Sequence, residues 1–358
     1  MTGAAEAALE RALVDWGADP ASVVPLAGDA STRHYVRVRR GDATAVIMIC
    51  GEPLPSEHCA IEGFAFARWQ GFYRDIGVRV PAILGVRRER GLVLLEDLGD
   101  ELLQHRAERR GPLACRDEYR RAIEWMRAIA TRGTARFVPA EHPDEDPLTP
   151  ARLAVEMDLF LAHAARVEVA PPSSGGSALQ RATAALDRHA RGPLGRARQL
   201  LHRLCHEVHD VAGGESAMTL CHRDYHARNL VVVPEGDREE LAVIDFQDTR
   251  RGPRAYDLAS LAWDPYVALP QELVEELVEL ARPEGVPADG WSREVALCAG
   301  QRLLKAAGSY AYLLRERDRG EYARWLPVAL ERARQRLEPW PHAREAWSAM
   351  AEAGIALS

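Results

Sequence analysis

One stretch of the sequence collects side chains that are suited to chemistry on phosphate. Residues 220–229 read LCHRDYHARN, and two short apolar runs follow, the second of which ends with Asp245 and Phe246. Asp224 and Asn229 lie in the first part of this stretch. Carboxylate and amide oxygens are ligands that Mg²⁺ prefers in proteins. The stretch is therefore a candidate site for a metal ion and a phosphate group.

The two apolar runs, Leu230–Val233 and Leu241–Phe246, are predicted strands of a hairpin with a polar turn between them. A hairpin brings the start of its first strand beside the end of its second, so we expect Asn229 and Asp245 to converge as Mg²⁺ ligands. Asp224 precedes the hairpin and can face the same point without binding the metal. Phosphoryl transfer needs both roles, because a metal ion neutralises phosphate charge while a separate carboxylate accepts or orients the hydroxyl proton of the acceptor.

The order of these residues matches a kinase pattern. The spacing H-x-D-x-x-x-x-N fits His222, Asp224 and Asn229, and the aspartate of an Asp-Phe pair follows at Asp245. The match predicts a kinase that uses ATP and Mg²⁺, with Asp224 as its catalytic base.

Two further residues of the same loop are candidates for the site. His226 and Arg228 can each contact the substrate or the transferred phosphate, and a cation at Arg228 would stabilise negative charge in the transition state. A salt bridge from Arg228 to a nearby carboxylate is the alternative. We predict a catalytic role for Arg228 and a substrate contact for His226.

The elements that position these residues form two predicted lobes. Residues 1–98 make an N-lobe in which one helix, from Ser56 to about Ile76, is inserted into an antiparallel sheet. The sheet has five predicted strands: Val23–Leu26, His34–Arg40, Ala43–Cys50, Ala82–Arg88 and Leu92–Asp97. Residues 99–358 make a mainly helical C-lobe, in which strand signals return only at Ala217–Leu220 and in the hairpin. The predicted fold class is α+β and bilobal.

Bulk composition excludes several classes of protein. The chain has 358 residues and a formal net charge of −7, which disfavours nucleic acid and anionic membranes as partners. No apolar run approaches the roughly 20 residues of a membrane span, and the N-terminus lacks the basic start of a signal peptide. The six cysteines form no C-x-x-C pair, which is typical of reduced thiols in a cytoplasmic protein. The sequence does not indicate an oligomeric state.

Three stretches carry a resemblance to a known family: Gly28–Arg37, Leu94–Asp100 and Asp245–Leu261. With the catalytic motif, they resemble the aminoglycoside phosphotransferase-like kinases, which are relatives of protein kinases. Within that group the chain is most similar to the anomeric N-acetylmuramate/N-acetylglucosamine kinases of cell-wall recycling. The resemblance implies a protein-kinase-like fold.

The resemblance also implies roles for individual residues. Asp224 would be the catalytic base, and backbone groups from Glu96 to Leu98 would bind the adenine of ATP. The loop from Gly28 to Arg33 would cover the phosphates, with Gly28, Ser31, Thr32 and Arg33 as contacts. Asp257 would hold the catalytic loop, or would cap the helix that follows it.

The sequence departs from typical kinases at the phosphate-binding lysine of the third strand. Met48 occupies that place, and the only lysine of the chain is Lys305, far outside the N-lobe. Arg33 and Arg37 are the candidate replacements, because arginine binds phosphate oxygens through two donors. An exposed surface arginine is the alternative for each. The missing lysine also leaves open a nucleotide-binding pseudokinase without activity.

The acceptor is indicated less sharply than the reaction. Glu156 and Asp158 lie on a predicted helix, in the region where the amino-sugar kinases present carboxylates to their substrate. Carboxylates suit sugar hydroxyls and amides, and they also suit the ammonium groups of aminoglycosides or choline. We predict an amino-sugar acceptor, with an aminoglycoside or another small alcohol as the alternative.

Overall fold

The computed structural model describes residues 3–26, 33–50, 64–142, 145–236 and 238–356. The chain divides into two compact units. The N-terminal unit contains Met1–Leu102, Val138–Asp144 and Leu230–Gln247, and the C-terminal unit contains Leu103–Phe137, Glu145–Asn229 and Asp248–Ser358. Two segments that follow residue 98 in the chain thus lie in the N-terminal unit.

The N-terminal unit contains the predicted five-stranded antiparallel sheet. Its strands are β1 (Asp19–Leu26), β2 (His34–Arg40), β3 (Ala43–Ile49), β4 (Ile83–Arg87) and β5 (Leu92–Glu96). The spatial order is β1-β2-β3-β5-β4. In the register of the central strands, Ile47 lies opposite Val36 on one side and Leu94 on the other. All three side chains are buried, so the central strands β3 and β5, whose sequences are largely apolar, pack into the core.

Two helices accompany the sheet: α1 (Gly3–Asp15) and α2 (Ala65–Asp75). Leu9 and Leu13 of α1, and Trp16 just after it, are buried in one cluster with residues of β2, β3 and β5. Burial of such side chains stabilises the fold by roughly 1.5–3 kcal/mol each. The predicted start of the second helix at Ser56 lies outside the described residues.

The predicted hairpin is present as β7 (Leu230–Glu235) and β8 (Arg238–Val243). It belongs to the N-terminal unit because Val231 and Ala242 are buried together with Leu98. Backbone hydrogen bonds join it to that unit as well, from Val232 N–H to Glu101 O and from Val243 N–H to Arg79 O, each at 2.8 Å.

The C-terminal unit is mainly helical, as predicted. Its helices are α3 (Leu103–Arg110), α4 (Arg116–Ala128), α5 (Thr134–Arg136), α6 (Pro150–Ala164), α7 (Ala178–Asp187), α8 (Gly192–Val211), α9 (Tyr256–Ala262), α10 (Gln271–Ala281), α11 (Ala288–Glu316), α12 (Trp325–Leu337) and α13 (Ala343–Glu352). No helix in the described part of the chain is long and apolar enough to span a bilayer.

The structure corrects the prediction that strands return only at three places. The predicted strand at residues 217–220 is β6 (Thr219–Cys221), and it pairs with an additional strand, β9 (Arg250–Gly252). The arginine-rich β9 shows no apolar alternation, so its sequence does not predict a strand. Gly252 permits the pairing, because a Cβ atom there would lie 2.9 Å from Cys221 Sγ and from Leu148 Cδ1.

Candidate active site

Buried aspartates hold the backbone of the catalytic loop in the C-terminal unit. Asp257, in the first turn of α9, accepts hydrogen bonds from the backbone N–H groups of His222 at 2.6 Å and Arg223 at 2.9 Å. Burial raises the pKa of Asp257 to about 6. This confirms the prediction that Asp257 holds the catalytic loop.

The other end of the loop is held in the same way. Asp264 accepts the N–H of Ala227 at 3.0 Å and that of Tyr266 at 2.8 Å, and burial raises its pKa to about 6. Between the two aspartates, the hydroxyl of Tyr225 donates to Ala122 O on α4 at 2.7 Å. The backbone around Asp224 is thus fixed from three directions.

The side chain of Asp224 is held by two cations. Its Oδ1 atom accepts hydrogen bonds from Arg302 Nη2 and Lys305 Nζ, both at 2.7 Å. Burial alone would raise the pKa of Asp224, but the charges of Lys305, Arg302 and Arg223 outweigh it and hold this pKa well below its usual value. Asp224 is therefore ionised. Among the described residues, none donates to its second oxygen, Oδ2.

Sequence reasoning missed the two cations. Lys305 was notable as the only lysine of the chain, but nothing local to it indicates a contact with Asp224, 81 residues earlier. Arg302 was one arginine among many. A partial signal exists, since Arg302 and Lys305 are spaced to share one face of a helix that is otherwise rich in small and apolar residues.

Asn229 is oriented by the same loop. Its Nδ2 donates to Asp224 O at 2.8 Å, so the amide oxygen is the end that can bind a metal ion. The side chain is buried in the C-terminal unit. An amide oxygen fits the hard-oxygen preference of Mg²⁺.

Asp245 lies in the N-terminal unit, two residues after Val243, the partner of Leu230 in the hairpin. It adopts a left-handed backbone conformation with φ 62°, which is uncommon for a residue other than glycine and is often found at functional sites. Gln247 Nε2 donates to Asp245 Oδ1 at 2.7 Å. The convergence of Asn229 and Asp245 on one metal ion stays a prediction.

Phe246 anchors the segment that carries Asp245. It is fully buried in the N-terminal unit, and its ring centroid lies 4.9 Å from that of Phe66 and 5.5 Å from that of Tyr73. Both partners lie on α2. The Asp-Phe pair of the motif thus joins a polar site residue to an apolar anchor.

The predicted hinge contains backbone groups that are available to a ligand. Glu96 is fixed through its side chain, which accepts two hydrogen bonds from Arg79, at 2.8 and 2.5 Å, and one from Ala82 N–H at 3.0 Å. Within the described part of the chain, the backbone N–H and C=O of Leu98 form no hydrogen bond. Unpaired backbone groups of this kind match the predicted contact with adenine, which itself stays a prediction.

Of the two arginines predicted to bind phosphate, Arg37 has other partners. Its guanidinium donates to both carboxylate oxygens of Asp97 at 2.7 and 2.9 Å, and to both of Asp100 at 2.7 and 2.8 Å. We correct its assignment from phosphate binding to bracing of the hinge, since its donors are occupied by two carboxylates.

Arg33 remains the candidate cation of the N-terminal unit. Burial raises the pKa of Tyr35, while the Arg33 guanidinium, which hydrogen bonds to this hydroxyl, lowers it and the charge of Asp245 raises it. Arg33 and Asp245 therefore both lie close enough to Tyr35 to affect its ionisation. Met48, in the place of the usual lysine, is fully buried. Gly28, Ser31 and Thr32 lie outside the described residues.

The two carboxylates that were predicted to contact the acceptor have partners inside the C-terminal unit. Asp158 is buried and accepts hydrogen bonds from Arg198 at 2.9 and 2.8 Å, and it contacts His202 Nε2 at 2.8 Å. Glu156, also buried, accepts from Arg223 Nη2 at 3.1 Å. We correct both assignments, because these carboxylates neutralise buried arginines and have no exposed surface for a substrate.

The remaining loop candidates lie beside an aromatic ring. The guanidinium carbon of Arg228 lies 4.6 Å from the centroid of the Tyr266 ring, and the His226 ring lies 5.6 Å from the same centroid. Burial lowers the pKa of His226 to about 3, so its imidazole is neutral. The catalytic role of Arg228 and the substrate contact of His226 stay predictions.

Comparisons with known proteins show what the chain as a whole is similar to. A model of the phosphotransferase enzyme family matches residues 22–297. An N-acetylmuramate/N-acetylglucosamine kinase of Pseudomonas aeruginosa is 27% identical over 316 residues, which cover 86% of this chain and 81% of the relative. A kinase of the same name from Caulobacter vibrioides is 28% identical over 332 residues, 84% of each chain.

A solved structure confirms the fold. The AMP-bound complex of spectinomycin phosphotransferase superimposes with a TM-score of 0.56 over 96% of this chain and 98% of its own, at 14% sequence identity. At that identity the likeness shows the architecture alone.

Proposed function

The chain belongs to the phosphotransferase enzyme family, and from that premise we propose that it transfers the γ-phosphoryl group of ATP to an N-acetylated amino sugar. The proposed acceptors are N-acetylmuramate and N-acetylglucosamine, at the anomeric hydroxyl, in peptidoglycan recycling. The observation that carries the reaction type is Asp224, an ionised carboxylate whose Oδ1 is fixed by two cations and whose Oδ2 receives no hydrogen bond from the described residues. The choice of sugar rests on relatives that match 84–86% of the chain.

In the proposed mechanism, Asp224 orients the attacking hydroxyl. Oδ2 accepts the hydrogen bond of that hydroxyl, and it takes the proton as the bond from oxygen to the γ-phosphorus forms. Because the pKa of Asp224 is held low, the carboxylate is a weak base, and its main contribution is orientation of the hydroxyl in line with the phosphorus. The hydroxyl becomes more acidic as its oxygen bonds to the γ-phosphorus, so its proton passes to Asp224 late in that step.

We propose Asn229 and Asp245 as the ligands of Mg²⁺. Their amide and carboxylate oxygens form a donor set that fits this ion. When bound, Mg²⁺ neutralises charge on the phosphates of ATP. Asn229 contributes through the orientation of its amide, since its nitrogen is already bound to Asp224 O.

For the nucleotide, we propose three contacts in the N-terminal unit. The open backbone groups of Leu98 bind adenine, Arg33 binds phosphate oxygens, and the loop that contains Gly28, Ser31 and Thr32 supplies backbone N–H donors. The support for Arg33 is that it and Asp245 both influence Tyr35, while Arg37 is committed to Asp97 and Asp100.

The charges around Asp224 favour a neutral or anionic acceptor over a cationic one. Arg223 and Arg228 belong to the catalytic loop, and Arg302 and Lys305 bind Asp224 directly. The two carboxylates once predicted for the acceptor, Glu156 and Asp158, are neutralised by arginines. An aminoglycoside carries several positive charges and needs several acidic partners, whereas the cations around Asp224 favour an acceptor without positive charge.

The test is ADP release, measured by a coupled assay with Mg²⁺-ATP against five acceptors. These are N-acetylmuramate, N-acetylglucosamine, glucose, kanamycin and choline. We expect turnover with an N-acetylated sugar, and phosphorus NMR of the product should show a sugar 1-phosphate. Turnover with kanamycin or choline alone would contradict the proposed acceptor while supporting the reaction type. ATP binding without turnover of any acceptor would favour the pseudokinase.

A further inference from the structure

The contact between α11 and Asp224 places two cations on a single carboxylate oxygen. Arg302 and Lys305 both donate to the same oxygen, Oδ1. Arg302 is itself fixed, because its Nε donates to Ser260 Oγ at 2.7 Å, and Ser260 Oγ lies 3.3 Å from Arg223 O. The side chains of Arg302 and Lys305 are only 8% and 13% exposed.

This arrangement is costly for folding. Removing an ammonium group from water carries a large free-energy penalty, which the nearby carboxylates of Asp224 and Glu156 offset only in part. The cost is visible in Lys305, where burial and the neighbouring Arg302 lower the pKa to about 8. Because burial and Arg302 disfavour the charged form of Lys305 even with Asp224 and Glu156 nearby, stability alone does not explain the place of Lys305 beside Asp224.

We infer that Arg302 and Lys305 are positioning residues of the phosphotransfer reaction, which together hold Oδ1 of Asp224 and turn Oδ2 toward the acceptor hydroxyl. Hydrogen bonds from charged donors are short and directional, and two of them to one oxygen restrict rotation of the carboxylate. The inference rests on the proposed function in one respect, namely that Asp224 receives the hydroxyl proton.

Arg302 and Lys305 thus form a clamp on Asp224, and the step that this clamp serves transfers one phosphoryl group and one proton. The O–H bond of the acceptor breaks as its oxygen bonds to the γ-phosphorus of ATP. The bond from that phosphorus to the bridging oxygen breaks, and ADP leaves with the electron pair. The proton passes to Oδ2 of Asp224 and then to solvent, while Lys305 and Arg302 keep their protons throughout.

The first experiment is kinetic, with Lys305→Met, Lys305→Arg and Arg293→Met. Arg293 is an exposed cation on the same helix α11, so its variant controls for the loss of charge alone. We expect Lys305→Met to lower kcat by about 10- to 100-fold, as loss of a positioning contact does, with little change in KM for ATP. Lys305→Arg should restore part of kcat, and Arg293→Met should match the wild type.

The pH profile separates positioning from simple support of the fold. With one cation removed from Asp224, its pKa rises, so the acidic limb of kcat against pH should move to higher pH in Lys305→Met. An unchanged limb together with a wild-type kcat would overturn the inference.

The second experiment uses the fact that the chain contains one lysine. Protein labelled with ¹³C,¹⁵N-lysine gives a single lysine Cε signal, and its titration by NMR reports the pKa of Lys305 directly. The charged groups that face Lys305 are Asp224 and Arg223 of the catalytic loop, Glu156 of α6 and Arg302 of its own helix.

We expect a titration midpoint at about 8 in the wild type, against 10.5 for an ordinary lysine. Asp224→Asn removes a charge that raises this pKa, so the midpoint should fall. Arg302→Met removes a charge that lowers it, so the midpoint should rise. A midpoint that is the same in both variants as in the wild type would show that Lys305 is not in contact with Asp224 and Arg302.

The NMR measurement needs no acceptor. If the wild type phosphorylates none of the sugars but its lysine titrates as expected, the proposed substrate fails and the clamp stands. The opposite result is also possible. If the wild type phosphorylates a sugar, but the lysine midpoint is the same in Asp224→Asn and Arg302→Met and the Lys305 variants keep wild-type kinetics, the clamp fails and the proposed function stands.

Discussion

At the scale of single residues, Asp224 is held both through its backbone and through its side chain. Asp257 and Asp264 bind the N–H groups of the loop on either side of it. Arg302 and Lys305 fix one oxygen of its carboxylate. Such a carboxylate is preorganised, and preorganisation accounts for much of the rate that an oriented group contributes.

The corresponding prediction concerns Asp224→Asn. The amide keeps the size of the side chain but cannot accept a proton, so we expect kcat to fall by about 10²- to 10⁴-fold. The measurement is coupled ADP release with the acceptor that the wild type prefers. Asp117→Asn, at a carboxylate that is 92% exposed on α4, is the control and should keep wild-type activity. Wild-type turnover by Asp224→Asn would refute the mechanism.

At the scale of elements, buried ion pairs join the helices of the C-terminal unit. Asp158 on α6 binds Arg198 and His202 on α8. Burial alone would raise the pKa of Asp158, but hydrogen bonds from His202 and Arg198 hold it below the usual value of 3.8. From the sequence alone, a carboxylate on a helix near the site suggests a substrate contact. The structure shows instead that Asp158 pairs with two residues of another helix, Arg198 and His202.

Asp158→Asn should destabilise the protein by about 3 kcal/mol, because it leaves the charge of Arg198 buried without its main partner. The folded-state pKa of Asp158 is lowered, so its contribution is present above the usual value of 3.8 and is lost as the pH falls through the lowered pKa. The difference in unfolding free energy between wild type and variant should thus be largest near pH 7 and shrink toward pH 3.

Chemical denaturation across this pH range makes the measurement. Asp187→Asn is the matched control, since Asp187 binds the same arginine at 2.8 Å but is 63% exposed, and exposed pairs contribute about 0–1 kcal/mol. Equal losses in the two variants would argue against a buried, stabilising role for Asp158.

The long helix α11 also depends on close packing. A Cβ atom on Gly308 would lie 2.8 Å from the Cα atom of Phe160 on α6. Gly308→Ala should lower stability by about 1–3 kcal/mol, because overpacking displaces backbone that cannot yield. Gly290→Ala, in the same helix with nothing within 4 Å, should be neutral or stabilise by up to about 1 kcal/mol. Thermal unfolding of both variants checks the contrast, and equal melting temperatures would contradict it.

At the scale of the whole molecule, the proposed tasks are divided between the two units. The hinge, Arg33 and Asp245 lie in the N-terminal unit, while Asp224, Asn229 and the clamp from α11 lie in the C-terminal unit. Nucleotide binding and acceptor activation should therefore respond to different variants.

Thermal stability in the presence of ligand tests this division. Mg²⁺ and ADP at 100 times the dissociation constant should raise the free energy of unfolding by about 2.7 kcal/mol. Chelation of Mg²⁺ should remove part of that gain, because the proposed site binds the phosphates through the metal. Asp245→Asn should lose the part that depends on Mg²⁺, whereas Asp224→Asn should keep it. A gain that is independent of Mg²⁺ in the wild type would contradict the proposed metal site.

The sequence by itself determined the features that depend on neighbouring residues. Short apolar and alternating runs predicted the five-stranded sheet and the hairpin, and motif spacing predicted the loop from His222 to Asn229, while the family resemblance implied its support by Asp257. These succeed because strand periodicity and loop motifs are encoded within short stretches of chain. The extra strand β9 escaped prediction because its arginines carry no such pattern and only its pairing with β6 defines it.

Tertiary structure alone decided which charges meet. Lys305 binds Asp224 across 81 residues, Arg37 binds Asp97 and Asp100 across 60 and 63, and Arg198 binds Asp158 across 40. The residues next to an arginine or a carboxylate in the sequence do not indicate a partner that lies 40 or more residues away, because such pairing depends on how the folded elements pack. The sequence therefore identified the candidate catalytic aspartate, and only the folded chain showed which side chains hold it and which other candidates have partners elsewhere.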